Sequence, residues 1–176
     1  MNNQNLWFSA FIVFLFDQLT KLWAVLRLPY GDSVISTSWF SFNLYYNEDT
    51  FLLNISANSY NISPVEFKLL YLITALIIGL GIVWVTNQPA MKEKSLEIDL
   101  SKAGLFIIMG SLFGNLADRV FRNKVVDFIK LDFLENSQPV INMADVMIYV
   151  GIFAIALAWI IIISKCVKNC FLRFRA

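Results

Sequence analysis

Hydrophobic residues along the chain fall into four long runs that are separated by more polar connections. The runs cover about residues 6–26, 65–86, 102–121 and 143–164. A helix that spans the hydrocarbon core of a bilayer needs about 20 mostly apolar residues, so each run is long enough. The pattern therefore predicts a polytopic, mainly α-helical membrane protein with four transmembrane helices, formed by residues 1–176 as a single membrane-embedded domain.

The connection between the first two runs has a different composition. Residues 34–47, VISTSWFSFNLYYN, are rich in β-branched and aromatic residues with partial alternation, which is typical of strands. We therefore expect a small extracytoplasmic β-sheet element over about residues 30–62, at the membrane surface. The run that precedes it follows MNNQN, with no basic residue and no cleavage-site pattern, so we expect it to be retained as a helix.

Composition agrees with a membrane location. Hydrophobic residues make up 58% of the chain and charged residues 15%, with a mean hydropathy of +0.63, whereas globular domains have roughly 45–50% apolar and about 25% charged residues. The net charge is only +1, so no overall field favours a nucleic-acid partner. We expect contact with membrane lipids, no nucleic acid, and a monomer.

Four spans place both termini on one side of the membrane. The basic residues divide equally between the two sides until Lys21 and Arg119 are treated as groups inside the membrane, and the 27–64 loop contains only Arg27. The positive-inside rule then favours cytoplasmic termini. Near the C-terminus, Cys166 and Cys170 are four residues apart, a spacing that is poor for a disulfide; we expect a structural role, with acylation as the alternative.

Polar residues interrupt the apolar runs at corresponding depths. Ionisable side chains inside a membrane cost free energy and mark a functional site or an internal ion pair. With alternating helix directions, all of these residues approach one face of the membrane: Asp17 and Lys21 on the first helix, Asn115, Asp118 and Arg119 on the third, and Asn142 and Asp145 at the start of the fourth.

Each of these sets also has a purely structural interpretation. Asp17 and Lys21 are four residues apart, so they can form an ion pair that holds the helices together. Asn115, Asp118 and Arg119 can form a polar network between helices, and Asn142 can simply cap its helix. Spacing alone leaves these alternatives open.

Asp127 differs from the other acidic residues because apolar neighbours in VVDFI would bury it. A lone buried carboxylate is costly and becomes neutral. If Asp127 and Asp145 converge, their proton affinities separate, so that one can take a proton from water while the other donates one. The chain has no histidine, which excludes Ser-His and Cys-His catalysis and histidine-bound zinc. An aspartic hydrolase without a metal is the simplest chemistry left.

The same residues carry a family resemblance. The chain resembles lipoprotein signal peptidase (signal peptidase II), a four-helix membrane aspartyl peptidase of bacteria. Four blocks match in order: DQLTK at 17–21, GNLADR at 114–119, VVDFI at 125–129 and NMAD at 142–145.

The resemblance implies that Asp127 and Asp145 are the catalytic pair. It implies supporting roles for Asn115, Arg119 and Asn142, an orienting role for Asp118, and a structural or site-supporting role for Asp17 and Lys21. The implied substrate is a diacylglyceryl-modified prolipoprotein, cut on the N-terminal side of the lipidated cysteine at the outer face of the bacterial inner membrane. No cofactor or metal is implied.

One block departs from the family pattern. In YNEDTFLLN at 46–54, Asn47 matches the family's asparagine, but Asp49 stands where the family has a glycine. A glycine permits positive φ or close backbone approach, so altered substrate preference or a paralogue with weakened activity stays open. The competing interpretation is a non-peptidase membrane protein, either an inactive scaffold or a small proton-coupled carrier.

Overall fold

The computed structural model describes residues 3–47, 64–133 and 139–174, and these residues contain four long helices. Each has a stretch that is long and apolar enough to cross a membrane. Many of their large apolar side chains are exposed, as expected for surfaces that face lipid. The prediction of a four-helix membrane protein is confirmed. The helices are α1 (Asn3–Arg27), α2 (Pro64–Thr86), α3 (Leu96–Arg122) and α4 (Met143–Phe174).

Two helices extend beyond the apolar runs from which they were predicted. Helix α3 begins at Leu96 rather than near residue 102, because Glu97 and Asp99 lie in its first turn, where acidic side chains stabilise a helix. Helix α4 continues from Met143 to Phe174 instead of ending near residue 164. Its C-terminal part carries Lys165, which binds Glu97 of α3 at 2.8 Å. Helix formation therefore continues past the apolar segments into polar surroundings.

Helix α3 is the central element, since it contacts each of the other three helices. Ala10 of α1 approaches Gly110 of α3, and further along both helices Asp17 approaches Gly114, so α1 and α3 run in the same direction. Helix α4 runs the opposite way, because its start lies beside Asn115 and its far end beside Glu97. The start of α4 therefore lies beside the C-terminal half of α3.

A four-stranded antiparallel sheet lies at this end of the bundle. Its order is β1-β2-β3-β4, and the strands are β1 (Ile35–Ser36), β2 (Phe40–Asn47), β3 (Val125–Leu131) and β4 (Val140–Ile141). The expected β element near 30–62 accounts for β1 and β2, while residues 48–63 lie outside the described part. Strands β3 and β4 were not expected, because a short apolar run such as VVDFI does not show which secondary structure it forms.

The sheet packs against the end of α1 through one apolar cluster. Ala24 and Leu28 of α1 contact Leu44 of β2 and Val126 and Phe128 of β3. Because side chains alternate along a strand, Asp127 points to the opposite side from its two neighbours. It is nevertheless 1% exposed, so both faces of β3 are buried here, as the apolar neighbours in the sequence predicted.

Glycine allows α1 and α3 to approach closely. A Cβ built on Gly110 would lie 2.3 Å from the backbone oxygen of Ala10, so any side chain there must push the two helices apart. By contrast, a Cβ on Gly81 of α2 would meet nothing within 4 Å. These two helical glycines form a matched pair for testing the packing.

We expect Gly110→Ala to lower the free energy of unfolding by about 1–3 kcal/mol, the usual cost of overpacking. Gly81→Ala should be neutral or slightly stabilising, because alanine favours the helix by roughly 0.8–1 kcal/mol over glycine. Thermal unfolding in detergent measures both. Equal Tm values for the two variants would contradict this packing.

Candidate active site

A buried ionic cluster lies between α1 and α3. The side chain of Lys21 is 0% exposed, and its ammonium lies 2.8 Å from Asp17 Oδ2 and 3.0 Å from Asp118 Oδ2. Asp17 and Lys21 are one helical turn apart, as the sequence predicted. Burying a lysine is costly unless opposite charges and hydrogen bonds compensate, and here two carboxylates do so.

Each carboxylate of the cluster also connects two elements of the fold. Asp118 Oδ2 accepts the backbone N–H of Val126 at 3.2 Å, and its other oxygen pairs with Arg122. This ties the end of α3 to β3. The carboxylate of Asp17 lies against Gly114, in the space that a side chain would fill. A Cβ built on Gly114 would be 2.4 Å from Asp17 Oδ2. The glycine of the GNLADR block is therefore required for the ion pair to reach α3.

The start of α4 is capped from two directions. Asn142 Oδ1 accepts the backbone N–H of Asp145 at 3.1 Å, and Asp145 Oδ2 accepts the backbone N–H of Asn142 at 3.1 Å. This reciprocal arrangement is a capping box. In addition, Asp17 Oδ1 accepts the N–H of Ala144 at 2.9 Å. The structural interpretation of Asn142 as a cap is thus correct, and the cap also fixes the carboxylate of Asp145.

Two asparagines connect the two aspartates predicted to be catalytic. Asn142 Nδ2 donates to Asp127 Oδ1 at 2.6 Å and to Asn115 Oδ1 at 3.1 Å. Asn115 Nδ2 donates to Asp145 Oδ1 at 3.1 Å. The two carboxylates therefore lie on either side of Asn142 and are both held by amide donors.

Asp127 is buried in the sheet and is held by a further amide donor. Asn47 of β2 donates to its Oδ2 at 3.0 Å. The pKa of the Asp127 carboxyl is raised to about 7, mainly by burial and also by the nearby charge of Asp145, while hydrogen bonds from Asn47 and Asn142 partly oppose the rise. At neutral pH this carboxyl can hold a proton or release one.

A pair of this kind can supply a general base and a general acid at one point. One carboxylate can accept a proton from water while the other donates a proton to a reacting group. Among the described residues, no group of three or more His, Cys, Asp or Glu side chains is arranged to hold a metal ion. The residues present are sufficient for acid–base hydrolysis.

Comparison with known proteins identifies the family to which these residues belong. The sequence model described as signal peptidase (SPase) II matches residues 9–161. The chain belongs to the signal peptidase II family. The resemblance seen in the four sequence blocks is confirmed, and the enzyme class expected from it, an aspartic endopeptidase, is that of the family.

Individual relatives of the signal peptidase II family match over most of the chain. The lipoprotein signal peptidase of Geobacillus kaustophilus is 33% identical, covering 83% of this chain and 86% of the relative. That of Nostoc punctiforme is 32% identical over 90% of each chain, and that of Cellvibrio japonicus is 30% identical over 82% of this chain and 81% of the relative.

A solved structure shows the same fold. A bacterial membrane enzyme, whose structure was obtained by the in meso method at 2.3 Å resolution, has a TM-score of 0.74 at 22% identity. The match covers 93% of this chain and 92% of that chain. This likeness supports the four-helix arrangement with its sheet.

The site contains most of the residues that the signal peptidase II resemblance indicated. Asn47, Asn115 and Asn142 all touch one of the two aspartates. Arg119 is buried and its guanidinium lies 5.8 Å from the centre of the Tyr71 ring on α2. The expectation that Asp118 orients Arg119 stays a prediction. Asp49, at the family's glycine position, lies outside the described residues.

Sequence reasoning missed two residues of the ionic cluster. Arg122 pairs with Asp118 and donates to Gln18 Oε1 at 3.3 Å, and Gln18 Nε2 donates to the backbone oxygen of Gly114 at 3.0 Å. The spacing of four residues between Asp118 and Arg122 was the available signal. This spacing was overlooked because Arg119 is adjacent to Asp118 in the GNLADR block and was taken as its partner.

The pKa of Asp127 predicts how stability depends on pH. Between about 3.9, the usual aspartate pKa, and about 7, the folded protein retains a proton that the unfolded chain has lost. The free energy of unfolding therefore falls as pH rises through this window, by at most about 1.4 kcal/mol per pH unit from this group.

Asp127→Asn removes this group, so the variant does not lose this stability as pH rises. The Tm of the variant minus the Tm of the wild type should therefore increase from about pH 4 to about pH 7 and then level off. Thermal unfolding over this pH series measures the difference. A difference that stays constant across the range would contradict a proton held by Asp127.

Proposed function

We propose that this chain is a lipoprotein signal peptidase that removes the signal peptide from diacylglyceryl-modified prolipoproteins. Cleavage occurs on the N-terminal side of the lipidated cysteine, with Asp127 and Asp145 as catalytic residues. The main support for this proposal is that Asn142 binds both carboxylates at one end of four apolar helices. Prolipoproteins are the substrates that the names of the relatives indicate.

The surroundings of the two carboxylates suggest how their roles divide. Asp145 lies in the first turn of α4, where the partial positive charge of the helix N-terminus interacts favourably with a carboxylate, and it is only partly buried. Asp127 is buried and has a pKa of about 7. We therefore assign Asp145 as the base that faces water and Asp127 as the acid.

Each aspartate then transfers a proton twice, once when the intermediate forms and once when it breaks down. Asp145 takes a proton from water as its oxygen attacks the scissile carbonyl, and Asp127 gives its proton to the carbonyl oxygen, which forms a neutral tetrahedral intermediate. When the C–N bond breaks, Asp145 returns its proton to the leaving amine, while Asp127 recovers a proton from the hydroxyl group. The products are a carboxylic acid and an amine, and both aspartates return to their starting forms.

The position of the site suits a lipidated substrate. A signal peptide is an apolar helix in the bilayer, so its scissile bond lies at a membrane interface, and the acyl chains stay beside the helices. Each acyl methylene that remains buried contributes roughly 0.8 kcal/mol to binding. Lipid burial can thus supply affinity, while the amide-lined carboxylates act on the peptide bond.

A lipidated substrate also suggests where the protein lies. We propose that it lies in the bacterial inner membrane with both termini in the cytoplasm and the aspartates at the outer face. We expect the lipid-modified substrate to present its cleavage site on that side. Supporting this orientation, Lys165 and Lys168 lie at the end of α4 opposite the aspartates, where the positive-inside rule requires basic residues.

The competing carrier hypothesis predicts a different geometry. Carriers bind their substrates near the middle of the membrane, between structural repeats. Here the aspartates lie on β3 and in the first turn of α4, at the ends of the helices. An inactive scaffold is distinguished from a peptidase only by assay.

We expect purified protein in detergent to cleave a diacylglyceryl-modified prolipoprotein peptide before its cysteine. Asp127→Asn and Asp145→Asn should each lower kcat at least about 100-fold, the lower range for loss of a general acid or base, with folding retained. The same assay should include Asp49→Gly, which restores the family's glycine; a higher rate would show that Asp49 limits activity. Full activity of either aspartate variant would refute the catalytic assignment.

The chain's two cysteines test the orientation without engineering. Cys166 and Cys170 are exposed and free near the end of α4. With cytoplasmic termini, a membrane-impermeant thiol reagent should leave both unlabelled in intact spheroplasts and label them after permeabilisation. Equal labelling before and after permeabilisation would reverse the proposed orientation.

A further inference from the structure

The lysine of the buried ionic cluster also reaches the residues around the two aspartates. Besides its two carboxylate partners, Lys21 Nζ donates to Asn115 Oδ1 at 2.8 Å. Asn115 in turn donates to Asp145. A cation on α1 is therefore separated from a proposed catalytic residue on α4 by a single side-chain amide.

We propose that Lys21 is a positioning residue for the aspartate pair: its ammonium fixes the direction of the Asn115 amide and keeps a positive charge beside both carboxylates. This rests on the proposed function and extends it, because Lys21 then affects the reaction as well as the packing of α1 on α3. A purely structural ion pair would affect packing alone.

The donors around Asn115 determine which way its side-chain amide points. Its Oδ1 accepts from Lys21 at 2.8 Å and from Asn142 Nδ2 at 3.1 Å, and both of these groups can only donate through those atoms. The oxygen must therefore face them, and the amide N–H₂ must face Asp145. With the amide reversed, its oxygen would face a carboxylate, and Asp145 would lose a hydrogen bond.

Several ionisable groups surround Lys21 and together set the charge near the aspartate pair. Within the described residues, Lys21 and Arg122 are balanced by Asp17 and Asp118, so the cluster is neutral as a whole. The Lys21 ammonium is the member that touches Asn115. It acts to lower the pKa of Asp127, against the effect of burial. The ionisable groups that interact with Lys21 are Asp17 on α1, Asp118 on α3, Asp127 on β3 and Asp145 on α4. Arg122 on α3 pairs with Asp118.

Removing Lys21 alone would leave two buried carboxylates with one cation, so the informative variant removes a charge of each sign. In Asp17→Asn with Lys21→Met, Asp118 keeps Arg122, and the asparagine oxygen can still accept the N–H of Ala144. The matched control is Asp17→Asn alone, since the two proteins differ only at Lys21. A third protein, Asp17→Asn with Lys21→Gln, keeps an N–H donor for Asn115 but has no charge.

Cleavage of the lipidated peptide is measured for all three over a pH series. Relative to Asp17→Asn, the Lys21→Met protein should have a kcat on the order of tenfold lower with little change in KM, because an interaction of the transition state is weakened. The alkaline limb of its pH–rate profile should lie at higher pH by about half a unit or more, because the charge that lowers the pKa of Asp127 is gone. The Lys21→Gln protein should show the pH shift but recover most of kcat.

Two results would overturn the proposal. One is a set of identical pH profiles and kcat values per folded molecule across the three proteins. The other is failure of both double variants to fold while Asp17→Asn folds, which would make Lys21 a structural residue. Failure of the proposed function is recognised separately, because the wild type itself would then not cleave the peptide.

Discussion

The side chain of Asn142 makes three hydrogen bonds, and each serves a different part of the structure. Its oxygen caps α4 by accepting the N–H of Asp145, and its nitrogen donates to Asp127 on β3 and to Asn115 on α3. The backbone N–H of the same residue binds the Asp145 carboxylate. The hydrogen bonds with which Asn142 caps α4 therefore also position the two aspartates. The fold and the proposed chemistry depend on the same hydrogen bonds.

The buried charges set the geometry around this asparagine. Removing one partner from a buried ion pair usually costs about 3–5 kcal/mol, so Lys21 requires both Asp17 and Asp118 to remain in place. Asp17 also caps α4 and Asp118 also binds β3. The ionic cluster thus connects α1 to α3, α4 and β3, and these last three elements carry Asn115, Asp145 and Asp127.

The sequence predicted the elements that have a long, simple signal. Four apolar runs of spanning length identified the helices, and the spacing of Asp17 and Lys21 identified their ion pair. Strand β3 was missed because it is buried on both faces, which removes the alternation that reveals a strand. Helix α4 was predicted too short, because hydropathy reports where a helix leaves the membrane and says nothing about where it ends.

Within the site, the residue types were predictable and several of the bonds were not. Asp127 was chosen because a carboxylate among apolar residues has few roles, and Asp145 because it was expected at the same membrane face. That Asn142 would bond to one of them and exchange backbone bonds with the other depends on β3 lying beside the start of α4. Arg122 was missed although its four-residue spacing from Asp118 could be read from the sequence, because Arg119 is adjacent to the same aspartate in the family block.

Infrared spectroscopy of the protonated carboxyl band can show whether Asp127 holds a proton beside Asp145 near neutral pH. We expect a protonated-carboxyl band in the wild type at about pH 6, below the Asp127 pKa of about 7. The component of this band due to Asp127 should disappear as pH rises above that pKa and be absent from Asp127→Asn. A band at about pH 6 that is unchanged by Asp127→Asn would show that Asp127 does not hold the proton.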